Sequence, residues 1–153
     1  MKASRSLVAM RTLIFELQPG ALAEEGLVAA LAKQAAALSA RERLAIQVDG
    51  PDQRLPLGPE AEEQLYRVGQ EALANVVKHA RASSARVRIT AAGGTVSVEV
   101  SDDGRGFDPA AVGPEHFGLR SMRGRVADLG GRLEVTSAPG GGTVLRVQIP
   151  AQR

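Results

Sequence analysis

Two stretches in the middle of the chain alternate apolar and polar residues, and they restrict the folds that the sequence can adopt. Residues 85–90 read ARVRIT and residues 95–100 read TVSVEV, with Ala91-Ala92-Gly93-Gly94 between them. Because successive side chains of a β-strand point to opposite faces of a sheet, each stretch places valine or isoleucine on one face and polar residues on the other. The sequence therefore predicts a half-solvated hairpin whose apolar face is covered by other elements.

The remaining elements predict what supplies that cover. Apolar residues at helical spacing, or alanine-rich composition, predict helices over residues 7–17, 21–43, 59–80 and 118–129. Further strands are predicted over residues 44–48, 132–136 and 143–149. This order of helices and mostly hairpin-linked strands favours an α/β fold, a two-layer sandwich in which helices cover one face of a mixed β-sheet.

Composition bounds the class of protein. The 153 residues are 44% hydrophobic and 24% charged, as expected for one soluble domain with a short appendage. No apolar run is long enough to span a bilayer, so we expect no membrane contact from this chain, and an anchor in a longer parent stays open. The absence of cysteine excludes disulfides and cysteine-based zinc sites. A net charge of +2 with four Phe and Tyr residues does not favour nucleic acid as a partner.

The second alternating stretch runs into Asp102-Asp103-Gly104-Arg105-Gly106-Phe107. A carboxylate at this point can accept a hydrogen bond from a base amino group, and Gly104 and Gly106 let the backbone pass close to a ligand. The same pattern also makes an ordinary surface turn. By itself the motif leaves both interpretations open.

Polar residues recur along one edge of the helix predicted over residues 59–80. Glu71, Asn75 and Lys78 follow one another at spacings of four and three. A carboxylate and an amide oxygen one turn apart suit a hard cation such as Mg²⁺, and a lysine one turn further suits phosphate. A solvated helix face with a Glu–Lys interaction is the alternative. His79 could bind phosphate or hydrogen-bond the helix end.

The helix predicted from Gly118 begins with a basic segment that includes Arg120, Arg123 and Arg125. Free backbone amides and the helix dipole favour an anion at such an end. A segment of this kind suits a lid over a triphosphate, although a plain loop with a basic solvated helix face explains the same residues.

Four motifs occur in one order along the chain: QEALANVVKHA at 70–80, DDGRGF at 102–107, FGLRSM at 117–122 and GGGT at 140–143. This order resembles the catalytic ATP-binding domain of sensor histidine kinases, especially the class of nitrate sensors and the lipid-desaturation thermosensor. The resemblance covers about residues 22–150. It implies the Bergerat-type (GHKL) ATP-binding fold that is shared with gyrase, Hsp90 and mismatch-repair ATPases.

The resemblance also implies roles for individual residues. Asn75 is expected to hold Mg²⁺, with Glu71 beside it to polarise the attacking group or a metal-bound water. Asp102 is expected to accept from the adenine amino group of ATP, with Thr143 helping through water. The other implied nucleotide-binding residues are Lys78 at the phosphates, Gly104 and Gly106 in the pocket wall, and Gly118, Leu119, Arg120 and Arg123 in the lid. His79 and Gly142, inside the first and last motifs, are also expected to bind the nucleotide. The single lid glycine departs from the Gly-x-Gly pair of many relatives.

The only histidines, His79 and His116, lie within and directly beside the ATP-binding motifs, so no phospho-accepting histidine is found. We therefore expect residues 1–20 to be the C-terminal stump of a dimerisation helix with its linker, and residues 21–153 to be the catalytic domain. The implied function is transfer of the γ-phosphoryl group of Mg-ATP to a histidine on a dimerisation hairpin upstream, and from there to a response regulator. The fragment is expected to be a cytoplasmic monomer and the intact kinase a dimer.

Two alternatives stay open. One is a serine kinase of the anti-sigma type, or a stand-alone ATPase, on the same fold; the helix before Pro19 argues against it. The other is a nucleotide-binding module that regulates a partner without catalysis. The presence of Glu71, Asn75 and Asp102 argues against this second alternative.

Overall fold

The computed structural model describes residues 20–113 and 116–152, so the helix predicted over residues 7–17 lies outside the described residues. The helices are α1 (Gly20–Glu25), α2 (Leu27–Glu42), α3 (Pro59–Asn75) and α4 (Leu119–Asp128). The strands are β1 (Ala45–Asp49), β2 (Ser84–Ala92), β3 (Thr95–Asp102), β4 (Arg132–Ser137) and β5 (Thr143–Pro150). Short 3₁₀ turns occupy Pro109–Ala111 and His116–Gly118.

The strands form one five-stranded mixed sheet in the order β1-β2-β3-β5-β4. Strand β1 is parallel to β2, and every other neighbouring pair is antiparallel. Helices α2, α3 and α4 pack against β1, β3 and β4 respectively. The predicted two-layer α/β sandwich with a mixed sheet is therefore confirmed. Among the described residues, no helix has both the length and the hydropathy that a membrane span requires.

The predicted alternation of the central hairpin is present in the structure. Ala85, Val87 and Ile89 of β2 are buried, whereas the residues between them are exposed. On the exposed face, the strand register aligns charges of alternating sign across the sheet, and Arg146 on β5 donates to Glu99 on β3 at 2.8 Å. Charged side chains on the exposed face therefore pair with opposite charges on neighbouring strands. The core is the apolar layer between the sheet and the helices.

The prediction of a single helix over residues 21–43 was wrong, because the helix is interrupted at Gly26. This glycine has a φ of 95°, which favours glycine over residues with a side chain. The break lets the Arg54 guanidinium donate to the carbonyl oxygens of Ala23 and Glu24, at 3.3 and 3.4 Å. Alanine-rich sequence on both sides of Gly26 favours helix equally, so composition gave no sign of the break.

Helix α3 presents one face to the core and one edge to the functional site. The apolar residues Leu65, Val68, Ala72 and Val76, which recur at helical spacing, form its buried stripe. After Asn75 the helix widens into a π-helical turn, Val76–Ala80. This wide turn carries Lys78 and His79, and such turns are frequent at functional sites.

Candidate functional site

A cavity lies beside α3, at the ends of β3 and β5 and beneath the turn His116–Gly118. It is lined by Ala72, Asn75, Val76, His79, Ala80, Val100, Asp102, Gly106, Phe107, Phe117, Leu119, Val135, Thr143 and Leu145. Its volume of about 50 Å³ is enough for a few waters. Small-molecule sites usually offer about 300 Å³ or more, so the cavity must widen to take a nucleotide.

Six of the residues predicted from the motifs line this cavity: Asn75, His79, Asp102, Gly106, Leu119 and Thr143. They come from all four motifs, which the fold brings to one place. Seven others do not line it: Glu71, Lys78, Gly104, Gly118, Arg120, Arg123 and Gly142. Of these, Lys78, Arg120 and Arg123 are exposed on the surface, whereas Gly104 and Gly142 are buried in backbone contacts.

Asp102 places a partly desolvated carboxylate in the cavity wall. Burial is the largest influence on this group and raises the pKa of Asp102 above its ordinary value. The backbone N–H groups of Gly104 and Thr143 oppose that rise, and the Gly104 N–H donates to Asp102 Oδ1 at 2.8 Å. The carboxylate is thereby oriented as a hydrogen-bond acceptor at the edge of an apolar cavity.

The neighbouring Asp103 has a different role. Its Oδ1 accepts from the backbone N–H groups of Ser83 and Ser84, at 2.8 and 3.0 Å, and its Oδ2 accepts from the Ser84 hydroxyl at 3.0 Å. These bonds lower the pKa of Asp103. They fasten the end of β3 to the start of β2, so Asp103 shapes the turn that presents Asp102.

The glycines of the 102–107 loop allow backbone to pack on backbone. A Cβ at Gly104 would lie 2.1 Å from the carbonyl oxygen of Ala80, and a Cβ at Gly106 would lie 2.1 Å from that of Ala138. Arg105 completes the contact: its N–H donates to the Ala80 carbonyl oxygen and its Nε to that of His79, at 2.6 and 2.8 Å. The loop is thus clamped between the end of α3 and the turn before β5.

A hydroxyl that sequence reasoning missed connects three parts of the site. Ser137 Oγ accepts from the Phe107 N–H at 2.9 Å and donates to the Gly142 carbonyl oxygen at 2.9 Å. It also lies 2.9 Å from Thr143 Oγ1. A serine just before a Pro-Gly turn carries no sequence pattern that separates it from an ordinary turn residue, so only the fold reveals this contact.

The turn His116–Gly118, which we name the lid turn, lies against the two polar residues of α3. Asn75 Nδ2 donates to the carbonyl oxygen of Phe117 at 2.7 Å. A Cβ at Gly118 would lie 3.0 Å from Glu71 Oε2, so the lid backbone also approaches this carboxylate closely. Gly118 has a φ of 72°, and Phe117 adopts the left-handed conformation as well. The sequence placed both residues in a lid motif but did not predict these contacts.

The Phe117 ring belongs to an aromatic cluster at the cavity. Its centroid lies 4.6 Å from that of His79, 3.6 Å from that of His116 and 5.0 Å from that of Phe107. Aromatic contacts of this kind stabilise a fold by more than the apolar area that they bury.

Arg125 on α4, the helix that follows the lid turn, donates to Gln64 Oε1 on α3 at 2.6 Å. This hydrogen bond connects α4 to α3.

The side-chain oxygens on α3 suit a hard divalent cation that takes its remaining ligands from the phosphates of a bound nucleotide. Asn75 and Glu71 supply an amide and a carboxylate one helical turn apart, and the amide nitrogen of Asn75 already faces the lid turn. The oxygen end of that amide is the end that ligates metals. Within the described residues, no group of three or more His, Asp or Glu side chains could hold a metal by itself. Mg²⁺ needs only one or two protein ligands when phosphates supply the others.

Residues 60–153 match the family of histidine kinase-, DNA gyrase B-, and HSP90-like ATPases. The chain belongs to this family. It is 33% identical over 141 residues to the sensor histidine kinase LiaS of Bacillus subtilis (strain 168), covering 92% of this chain and 39% of LiaS. It is 36% identical over 149 residues to the signal transduction histidine-protein kinase/phosphatase DegS of Brevibacillus brevis, covering 95% of this chain and 38% of DegS.

A solved structure extends this likeness to the fold. The blue-light activated histidine kinase EL346 of Erythrobacter litoralis superposes with a TM-score of 0.69 and 28% identity, over 95% of this chain and 50% of that chain. The predicted resemblance to the ATP-binding domain of sensor histidine kinases is therefore confirmed, as is the predicted fold. The chain spans about two fifths of the length of LiaS and DegS.

Proposed function

We propose that this chain is the catalytic domain of a two-component sensor histidine kinase. It would bind Mg-ATP and transfer the γ-phosphoryl group to a histidine on a dimerisation domain outside the chain. The observation that carries the proposal is one cavity with two chemically different ends. The Asp102 carboxylate and Thr143 lie at one end, and the Asn75 amide lies at the lid turn.

The Asp102 end suits an adenine base. Val100, Val135 and Leu145 supply apolar walls, and the oriented Asp102 carboxylate supplies an acceptor for the exocyclic amino group. Sites of this kind combine mostly apolar surface with a few placed polar groups. Thr143 would add a second polar contact, directly or through water.

The α3 end suits the phosphates and their metal. We assign Asn75 and Glu71 to Mg²⁺, and Lys78 and His79 to the phosphates. Mg²⁺, when bound, would neutralise phosphate charge. The basic residues Arg120 and Arg123 on the exposed face of α4 would approach the phosphates from the lid. Phosphoryl transfer asks the protein mainly to position its reactants and neutralise charge, and Glu71 would orient the attacking group.

Nucleotide binding by this arrangement requires the lid turn to move. The lid turn lies against Asn75 and Glu71, and the cavity of about 50 Å³ is too small for a base. We therefore propose that the described conformation is the nucleotide-free one, and that ATP displaces Phe117 from the cavity mouth.

The length of the relatives supports a larger parent protein. Both LiaS and DegS extend well beyond the part that this chain covers. We propose that residues 1–20 end a dimerisation helix and its linker, and that residues 21–153 are the catalytic domain. The partners would be that phospho-accepting hairpin and a response regulator. The intact kinase would be dimeric and the domain would work in the cytoplasm, where ATP is available.

Two measurements test this function. Calorimetric titration with ADP and ATP, with and without Mg²⁺, is expected to show Mg²⁺-dependent binding. Incubation with γ-labelled ATP and the separately prepared dimerisation hairpin of the parent kinase is expected to label a histidine. Label on serine, or steady phosphate release without acceptor, would favour a serine kinase or an ATPase. Absence of nucleotide binding would contradict every ATP-dependent function.

A further inference from the structure

We propose that Ser137 is a positioning residue that fixes the hydrogen-bonding role of Thr143 toward the nucleotide base, and so favours a 6-amino purine over a 6-oxo purine. This inference rests on the proposed ATP-binding function. Ser137 itself is not among the residues that line the cavity, whereas Thr143 is. Any effect of Ser137 on the choice of base must therefore pass through its neighbours.

The hydrogen-bond partners of Ser137 determine where its single hydrogen points. A serine hydroxyl has one hydrogen to donate and two lone pairs that accept. The Phe107 N–H is a donor, so it takes one lone pair at 2.9 Å. The Gly142 carbonyl oxygen is only an acceptor, so the Ser137 hydrogen goes to it, also at 2.9 Å. Ser137 then has one lone pair left and no hydrogen.

This assignment decides the direction of the remaining bond. The Ser137 and Thr143 hydroxyl oxygens lie 2.9 Å apart, and either could donate by geometry alone. Since the Ser137 hydrogen is committed to Gly142, Thr143 must donate. Thr143 thereby uses its only hydrogen inside the protein, and its hydroxyl offers the cavity an acceptor and no donor.

The second polar group at this end of the cavity is also an acceptor. Asp102 and Thr143 are paired across β3 and β5, and the Asp102 carboxylate accepts from the Gly104 N–H. A base that enters between two acceptors must present hydrogens to both. The 6-amino group of adenine has two hydrogens to give. A 6-oxo group would place a third acceptor beside Asp102 and Thr143, which is unfavourable because buried acceptors need donors.

The test compares ADP with inosine diphosphate, its 6-oxo counterpart, by calorimetry on the full chain. The quantity measured is the ratio of the two dissociation constants, for the wild type, Ser137→Ala, Thr143→Val and the double variant. Ser137→Ala frees the Thr143 hydrogen to rotate toward the 6-oxo group. The preference for ADP is therefore expected to fall about tenfold, the equivalent of one hydrogen bond.

The controls separate positioning from general structure. Loss of the contacts to Phe107 and Gly142 alone would weaken both nucleotides together and leave the ratio unchanged. Ser137→Thr keeps a hydroxyl and is tolerated in a strand, so it should restore the wild-type ratio. Thr143→Val removes the acceptor and is expected to lower the preference by itself, with no further change when Ser137→Ala is added.

The outcomes have distinct meanings. A wild-type ratio in Ser137→Ala, or an equal effect of that substitution with and without the Thr143 hydroxyl, would overturn the role of Ser137 and leave the ATP site intact. If Ser137→Ala does not fold, an unchanged ratio in Thr143→Val, or a lowered ratio in Ser137→Thr, would overturn the role instead. Failure of the wild type to bind ADP would overturn the proposed function and this inference together.

Discussion

The side-chain amide nitrogen of Asn75 lies 2.7 Å from the backbone carbonyl oxygen of Phe117, to which it donates a hydrogen bond. The nitrogen and the oxygen of the Asn75 amide thus have different roles. Its nitrogen holds the lid turn, and its oxygen is the end that we assign to Mg²⁺. The contact joins the edge of α3 that we assign to Mg²⁺ to the lid turn, which we propose to move when ATP enters.

The first prediction concerns this contact in the nucleotide-free protein. Asn75→Ala removes the donor, and Asn75→Asp places a carboxylate oxygen against the Phe117 carbonyl oxygen. We expect hydrogen exchange in residues 117–122 to be slowest in the wild type, about fivefold faster in Asn75→Ala and faster still in Asn75→Asp, because a lost hydrogen bond is worth about 1 kcal/mol. Mass spectrometry of exchanged peptides measures this order.

The central hairpin is the internal control for that experiment. Residues 85–100 make no contact with Asn75 in the described hydrogen bonds and should exchange at the wild-type rate in each variant. Equal lid exchange in the wild type and Asn75→Asp would show that the Phe117 contact does not hold the lid turn.

The second prediction concerns Asp102 and pH. Burial raises the pKa of this carboxyl, so the folded state binds its proton more readily than the unfolded state does. By linkage, the stability from this group is present below the ordinary pKa of 3.8 and is lost as the pH rises through the folded-state value. Asp102→Asn has no ionisation to desolvate. The variant should therefore be more stable than the wild type at pH 7, whereas its affinity for ADP is expected to be far lower.

Urea unfolding from pH 7 down to pH 3 measures that stability difference. The advantage of Asp102→Asn should shrink as the pH falls and vanish below 3.8. Asp103→Asn is the contrasting control, because hydrogen bonds lower the pKa of Asp103 and its neutralisation should destabilise the protein at pH 7. A destabilised Asp102→Asn at neutral pH would contradict the assignment.

The sequence was sufficient for the sheet and for six of the residues that line the cavity. Alternation in β2 and β3 is a local property, and the helical stripe on α3 is one as well, so both were predicted correctly. Asp102 and Asn75 could be named because their motifs are short and their spacing is preserved along the chain. Alternation, helical spacing and short motifs can be recognised without knowing which residues pack against one another in the fold.

The rest depended on contacts between distant residues. Ser137 lies 30 positions after Phe107 in the chain, and the two come into contact only when β4 joins the sheet. At the Gly26 break, the carbonyl oxygens of Ala23 and Glu24 accept from Arg54, which lies 31 and 30 positions further along the chain. The glycines of the 102–107 loop were predicted to approach a ligand, yet Gly104 approaches the Ala80 carbonyl oxygen. A glycine pattern indicates that another group packs closely against the backbone, but only the fold shows whether that group is a ligand or another part of the protein.

The third prediction separates two kinds of glycine. Gly124 lies inside α4, and a Cβ added there would meet no heavy atom within 4 Å. Because glycine in a helix interior is less favourable than alanine, Gly124→Ala should raise the free energy of unfolding by about 0.5–1 kcal/mol. Gly104→Ala should lower it severely, since the new Cβ would collide with the Ala80 carbonyl oxygen. Thermal unfolding of both variants tests the pair, and a destabilised Gly124→Ala would mean that α4 needs this glycine for another contact.

The last prediction concerns the ion pair that connects the first turn of α3 to the loop before it. Arg54 Nη2 lies 2.9 Å from Glu62 Oε1, and the Glu62 side chain is only 5% exposed. Removing the arginine leaves a buried carboxylate without its partner. We therefore expect Arg54→Ala to lower the free energy of unfolding by about 2 kcal/mol in urea titrations at pH 7.

A neighbouring pair on the same helix provides the matched control. Arg67 Nη2 lies 3.1 Å from Glu63 Oε2, but the Glu63 side chain is 39% exposed, so Arg67→Ala should cost about 0.5 kcal/mol or less. Adding Glu62→Gln to Arg54→Ala should restore part of the lost stability, because a buried amide is less costly than a buried carboxylate. Equal losses in the two arginine variants, or no recovery in the double variant, would show that burial of Glu62 does not make this pair the stronger one.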